Sequence, residues 1–335
     1  MEYQKLKRFC SENKSKIELL VGHSIRCQDK AIILKSYYDL IINNGKKETQ
    51  DVDNDQHLEF PEISKKYKFG VLLGKGGFGV VYQGTNKKKP HIKVAIKISK
   101  SPGAIIKTES EYYYLKLLQG LSGIPKIIAE PIKNTDYYAI IMEKLGSSLK
   151  DRYNDENANT LPPLESLAIQ MINVMESVHN EGIIHRDVTP SNFIFGLRDE
   201  SDKLFLIDFG LSVKYLNEDG THIPYRTDFP FKGTYCYVSA NIQEKIESSR
   251  RDDMISLGYT LASLFIELPW REKALAMKKI PRNKQKAIKH EIIAIKRAAK
   301  FPADLPASIR KYINVVSKLK FDEKPNYNKL KKLFK

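Results

Sequence analysis

The stretch that most constrains this chain runs from His185 to Asn192 and reads H-R-D-V-T-P-S-N. Asp187 stands where a carboxylate can take the proton of a hydroxyl, and Asn192, five residues on, where an amide oxygen can reach a metal ion. Eight residues alone prove little. Their weight depends on whether further parts occur in the right order and local structure. Composition sets the outer bound: 335 residues suffice for about two domains or one fold of two lobes, with a sizeable core.

Downstream of Asn192 come the apolar runs F-I-F and L-F-L-I, then D-F-G at Asp208 to Gly210, 16 residues after Asn192. An aspartate that follows a hydrophobic strand at this distance is suited to chelate magnesium at the β- and γ-phosphates of a nucleotide, with Asn192 holding a second ion. Upstream, Pro162 and Pro163 precede a helix whose Leu164, Leu167, Ala168, Met171, Val174, Met175 and Val178 share one face and which delivers the chain to His185. Asp252 to Leu268 is apolar nearly all round and predicts a buried central helix. Asp253 near its start is placed either to cap the backbone of the His185 loop or to serve as an ordinary N-terminal helix acid.

From Tyr67 the pattern is that of strands. Lys68 to Leu73, Val80 to Thr85 and Ile92 to Ile98 are short apolar runs, the first two joined by G-K-G-G-F-G at Gly74 to Gly79. Glycines at 74, 76 and 79 let a backbone come close to a polyphosphate and offer it N–H groups. A dinucleotide-binding turn gives the same string, but it would open a helix, whereas this one joins two strands ahead of V-A-I-K. Lys97 closes that V-A-I-K. A following helix carries two acids able to hold the lysine, Glu109 and Glu111, and Glu111 shares the face of Tyr114, Leu115 and Leu118 at i+3, i+4 and i+7, so it is the expected partner.

The periphery is less specific. Residues 1–47 show two runs of helical periodicity broken at Gly22 and read as a helical extension. Residues 48–66 read as an acidic, solvated linker, since Glu48 to Ser64 holds six acids and no Lys or Arg. Three cysteines, Cys10, Cys27 and Cys236, with no C-x-x-C, suggest neither a disulfide framework nor a zinc site. With no apolar run near a membrane span and no signal-peptide core, the expected location is intracellular, cytoplasmic or nuclear. The net charge of +16 suits nucleic acid, anionic lipid or acidic protein as partners, and equally a plain basic surface. Arg271 to Lys300 holds eleven Lys or Arg against two Glu, which leaves nucleic acid open as a partner, although no aromatic interleaves these cations before Phe301.

With these parts in order, residues 67–335 resemble a eukaryotic protein kinase. More narrowly, they resemble the casein kinase 1 group, which includes the tau-tubulin and vaccinia-related kinases. The resemblance is carried by L-G-S-S-L at 145–149, S-N-F-I-F-G at 191–196, H-I-P-Y-R at 222–226, S-R-R-D-D-M-I-S-L-G-Y at 249–259, L-P-W at 268–270 and F-D-E-K-P-N-Y at 321–327. The A-P-E of most kinases is absent, and G-T-Y-C-Y-V-S-A-N at 233–241 stands in its place.

The resemblance implies an α+β, bilobal fold, with a β-rich N-lobe over 67–143, a hinge at 143–146 and a helical C-lobe over 147–335. It implies ATP and Mg2+ as cofactors, and transfer of the γ-phosphate to Ser or Thr hydroxyls of protein substrates, acidic ones above all. Catalytic roles fall to Asp187, Lys97, Asn192, Asp208 and Glu111, and metal binding to Asn192 and Asp208. Gly74, Gly76, Gly77, Phe78 and Gly79 would cover the nucleotide, and Val81, Ala95, Met142, Ile194 and Ile207 would wall its pocket. Main-chain groups of Glu143 and Leu145 would hydrogen-bond adenine. Two departures stand out: Thr189 replaces a lysine that contacts the γ-phosphate, and Cys236 replaces an arginine that helps bind a substrate phosphate. Thr189 is the support for a second reading, a kinase-fold scaffold that binds ATP or a partner without chemistry.

Overall fold

The computed structural model describes residues 60–77, 79–154, 161–277, 280–281 and 284–335, so the helical extension expected over 1–47 and most of the expected linker lie outside the described residues. The end of that linker is not a solvated tether. Pro61–Lys66 form helix α1, and Phe60 and Ile63 are buried in the same core cluster as Val94, Ile96, Ile98 and Ile141. Acid count dominated the reading of this stretch, yet two apolar residues three apart suffice to bury one face of a short helix.

Two compact units divide the chain. The first is formed by residues up to Gly120 together with Pro125–Leu145, and the second by Leu121–Ile124 with Gly146–Lys335. In the first, β1 (Tyr67–Gly76), β2 (Gly79–Asn86) and β3 (Lys93–Ser99) lead to helix α2 (Pro102–Leu117), then β4 (Ile127–Lys133) and β5 (Tyr138–Glu143). The five strands form one antiparallel sheet in the order β1-β2-β3-β5-β4. Alternation along β3 sends Val94, Ile96 and Ile98 into the α1-side core, where burial of each stabilises by roughly 1.5–3 kcal/mol. The remaining positions, Ala95, Lys97 and Ser99, fall on the opposite face, that of α2.

The second unit is helical: α3 (Leu149–Asn154), α4 (Leu164–Asn180), α5 (Ala240–Gln243), α6 (Arg250–Ala262), α7 (Arg271–Ala276), α8 (Lys286–Ala298), α9 (Ala307–Val316) and α10 (Tyr327–Lys331). Two small two-stranded antiparallel sheets punctuate it, β6 (Ile183–Ile184) with β9 (Val213–Lys214) and β7 (Phe193–Phe195) with β8 (Leu204–Leu206). Helix α6 is the buried centre, with every residue from Asp252 to Ala262 inside. It stops at Ala262, short of the Leu268 expected from hydropathy. Beyond it Leu264, Ile266 and Leu268 are buried while Phe265 and Glu267 are exposed, a period of two, and Pro269 disfavours helix at the residue before it. Among the described residues no helix is long and apolar enough to cross a membrane.

Candidate active site

In the first unit, the α2 face of β3 carries Lys97 to Glu111. Lys97 Nζ lies 2.5 Å from Glu111 Oε2, with both side chains buried, while Glu109 is half-buried. A second tie sets the helix against the strand one turn earlier: Ser99 Oγ and Thr108 Oγ1 are 2.6 Å apart, and Thr108 donates to the Ala104 carbonyl at 2.9 Å. Thr108 and Glu111 share a helix face at i, i+3, so the two ties act on one edge of α2. Across the sheet, Val81 and Ile140 pair with Lys97, and Ala95 pairs with Met142. Met142 packs on Ile105, Tyr138 and Ile140.

The glycine loop divides by position. An added Cβ meets nothing within 4 Å at Gly74, Gly76 or Gly77. At Gly79, with φ +139°, it would come within 2.2 Å of the Ile98 carbonyl oxygen. Gly79 is therefore required by the packing of the hairpin on β3, whereas the other three leave room for an approaching group. Phe78 lies outside the described residues. Toward the end of the unit, the Glu143 N–H donates to the Lys126 carbonyl, and Glu143 Oε1 accepts the Lys126 N–H at 2.6 Å. Leu145 is the last residue of the unit and is half-buried.

In the second unit, the His185 loop is held from several sides. Asp253 at the start of α6 accepts the His185 N–H at 2.7 Å and the Arg186 N–H at 2.8 Å, and also contacts His179 Nε2 at 3.1 Å. Burial opposes ionisation of Asp253, but its hydrogen bonds, that from His179 foremost, outweigh it and hold the carboxyl below its usual range. His179 Nδ1 in turn accepts from the Tyr327 hydroxyl at 2.8 Å, so a buried chain runs from α10 through α4 to α6 and the loop. His185 Nε2–H donates to the Ile207 carbonyl at 3.0 Å, which leaves Nδ1 to accept the Asp187 N–H. Thr260 donates to the Val188 carbonyl at 3.0 Å. These contacts hold Arg186 at φ 69°, a left-handed conformation that costs about 1–3 kcal/mol when left unsupported.

Asp187 is thus presented with its carboxylate bracketed. Thr234 Oγ1 donates to Oδ1 at 2.8 Å, and Asn192 Nδ2 lies 3.3 Å from Oδ2 and 2.8 Å from the Asp187 carbonyl. Burial pushes the Asp187 carboxyl above its ordinary value, and the charge of Asp208 adds to the rise, against the hydrogen bonds of Thr234 and Asn192. Asn192 also accepts the Ile207 N–H on its carbonyl, which draws the residue before Asp208 to the loop, and Asp208 itself has φ 64°. Ile194 is half-buried on β7, paired with Phe205, and Ile207 is half-buried as well. Thr189 is 5% exposed. Close by Pro190, a cavity of about 240 Å³ is lined by Lys150, Tyr153, Tyr237, Glu267 and Arg271 among others.

A divalent cation fits this arrangement. With Asn192 Nδ2 committed to Asp187, the amide oxygen is the atom left for a cation, and two mutually repelling carboxylates stand in the same unit. Among the described residues no group of three or more His, Cys, Asp or Glu forms a closed metal site. Magnesium takes one or two protein ligands and completes its shell with phosphate and water, and Asn192 and Asp208 would be those ligands.

The sequence model of the protein kinase domain matches residues 67–332, and the chain belongs to that family. Its fold is the α+β, bilobal kinase fold. The function that follows at this level is phosphotransfer to protein substrates, and protein kinase domains generally use ATP and Mg2+. Sequence reasoning passed over Thr234, Thr260, His179 and Tyr327. The G-T of G-T-Y-C-Y-V-S-A-N offered a signal for Thr234 and the last residue of F-D-E-K-P-N-Y one for Tyr327, but nothing local pointed to Thr260 or His179.

Proposed function

We propose that the chain is an ATP- and Mg2+-dependent serine/threonine protein kinase of the casein kinase 1 group, acting on acidic protein substrates. The observation that carries this reading is the Asp187 carboxylate, oriented by Thr234 and Asn192, made more basic by burial and standing with Asp208 in one unit. In this reading Asp187 orients the substrate hydroxyl and accepts its proton, general-base help worth roughly 10²- to 10⁴-fold. A carboxyl with raised proton affinity is the better base for that step. Lys97, aimed by Glu111, holds phosphate oxygens, and Gly74, Gly76, Gly77, Phe78 and Gly79 cover them. Val81, Ala95, Met142, Ile194 and Ile207 wall the base, with Glu143 and Leu145 on adenine. Asn192 and Asp208 hold the magnesium, which when bound supplies charge neutralisation at the phosphates. Acidic side chains are drawn to the exposed cations on and around Arg271–Lys300, and the catalytic domain spans 67–335.

The group assignment rests on the motifs at 145–149, 191–196, 222–226, 249–259, 268–270 and 321–327. A peptide-array phosphorylation profile tests it. Transfer confined to Ser and Thr with acidic flanks supports the reading, and transfer to Tyr, or indifference to flanking charge, contradicts it. One observation favours a second reading: buried Thr189 brings no charge where the group carries lysine. On that reading the chain is a scaffold, identified by thermal stabilisation with Mg·ATP and no phosphate transfer.

A further inference from the structure

Lys296 belongs to the basic stretch that composition marks as a surface, yet it is only 4% exposed. Its Nζ donates to the carbonyls of Tyr235 at 3.0 Å and Val238 at 2.6 Å, and lies 5.1 Å from the Trp270 ring and 5.5 Å from the Tyr259 ring. Trp270 Nε1 donates to the carbonyl between these two, that of Cys236, at 2.7 Å. Three carbonyls of one short turn are therefore tied from the same side. The other end of the turn reaches the His185 loop. Thr234 donates to Asp187, and Gly233, at φ 98°, lies so close that an added Cβ would come 2.6 Å from the Arg186 carbonyl oxygen.

We infer that Lys296 is a positioning residue for phosphoryl transfer: its ammonium clamps the 235–238 turn from α8 and so holds Thr234 on the Asp187 carboxylate. The inference rests on the reading of Asp187 as the base. An ammonium out of water is costly, and here two carbonyl oxygens and two ring faces offset that cost through hydrogen bonds and cation–π attraction. Such an arrangement costs more than a hydrophobic side chain at the same place. It gains a charge-dependent grip.

That grip titrates. Burial pushes the Lys296 ammonium down to about 7, with Cys236 acting in the opposite direction. The titratable groups facing it are Cys236 on the turn and Tyr259 on α6. Elsewhere on α8, Arg297 is paired with Glu244 and Glu291 with Lys273. Charged Lys296 grips the carbonyls more strongly than the neutral amine, so the clamp weakens as pH rises through the neutral range.

The test compares wild type with Lys296→Met, measuring kcat and KM for Mg·ATP from pH 6 to 9 and amide hydrogen exchange over 233–238. In wild type, kcat is expected to fall as pH rises through about 7 with KM unchanged. Lys296→Met is expected to lack this limb and to lose on the order of tenfold or more in kcat at the acid end, the scale of a misplaced catalytic group. Superimposable profiles and exchange rates for the two proteins would overturn the inference. Should the variant not fold, wild-type exchange decides. Protection of 233–238 that falls above neutral pH, after correction for intrinsic rates, supports the clamp, and constant protection refutes it. A wild type that transfers no phosphate refutes the kinase reading instead, and the exchange result then still judges Lys296.

Discussion

Two loops bear the chemistry of this chain, and they are built on opposite principles. The His185 loop is held by Asp253, Thr260 and Thr234 side chains and by the Ile207 carbonyl, so nearly each residue from His185 to Val188 has a named tether. The Gly74–Gly79 loop has one tight position, Gly79, and three with empty space around them. A base must be aimed in advance, because its work depends on a proton being within reach. A loop that covers a phosphate needs only backbone N–H groups and room to move. The contrast teaches that substitution costs should be steep in one loop and shallow in the other, even though both are short and rich in motif residues.

The largest effect falls on Asp253→Ala. It removes the acceptor of two loop amides and leaves His179 Nε2 without its partner in a closed interior, a loss of about 3–5 kcal/mol on the scale of broken buried pairs. Chemical denaturation checks it. Next is Gly233→Ala, whose Cβ meets the Arg186 carbonyl at a positive φ. A cost of about 1–3 kcal/mol is expected, with a fall in any transfer rate. Smaller still is Gly76→Ala, in open space, with under about 1 kcal/mol expected. Should Gly76→Ala cost as much as Gly233→Ala, the contrast between the loops fails.

Much of this was legible in residues that stand next to one another. H-R-D-V-T-P-S-N, D-F-G and V-A-I-K are local strings, and the phase of Glu111 with Tyr114, Leu115 and Leu118 could be counted along one helix. What was not legible depends on distance in sequence. Thr234 reaches Asp187 across 47 residues, and Tyr327 reaches His179 across 148. Hydropathy also treats every lysine as solvated, which hid Lys296, and charge counting hid the packing of Phe60 and Ile63. The apolar run to Leu268 looked helical because composition does not reveal where a period of 3.6 gives way to one of two.

The two buried lysines among the described residues, Lys97 and Lys296, sharpen the same contrast. Lys97 sits against a carboxylate and Lys296 against carbonyl oxygens. Glu111→Gln should therefore depress transfer, because Lys97 loses the carboxylate that aims it. For Lys296 the sign is definite. Its folded value is lowered to about 7 from 10.5, so between these the unfolded chain binds more protons than the native one, and stability rises with pH across that window. Denaturation midpoints at pH 7 and 10 should diverge more in wild type than in Lys296→Met. A gain in the variant equal to that of wild type would mean the lysine does not titrate in place.

Whether the tethered loop is a working base is tested most directly by transfer from Mg·ATP to an acidic Ser/Thr peptide, wild type beside Asp187→Asn, with Mg·ATP thermal shifts measured on both. The expected result is a rate lowered by about 10²- to 10⁴-fold in the variant with similar thermal shifts. Equal rates in the two proteins would contradict the account.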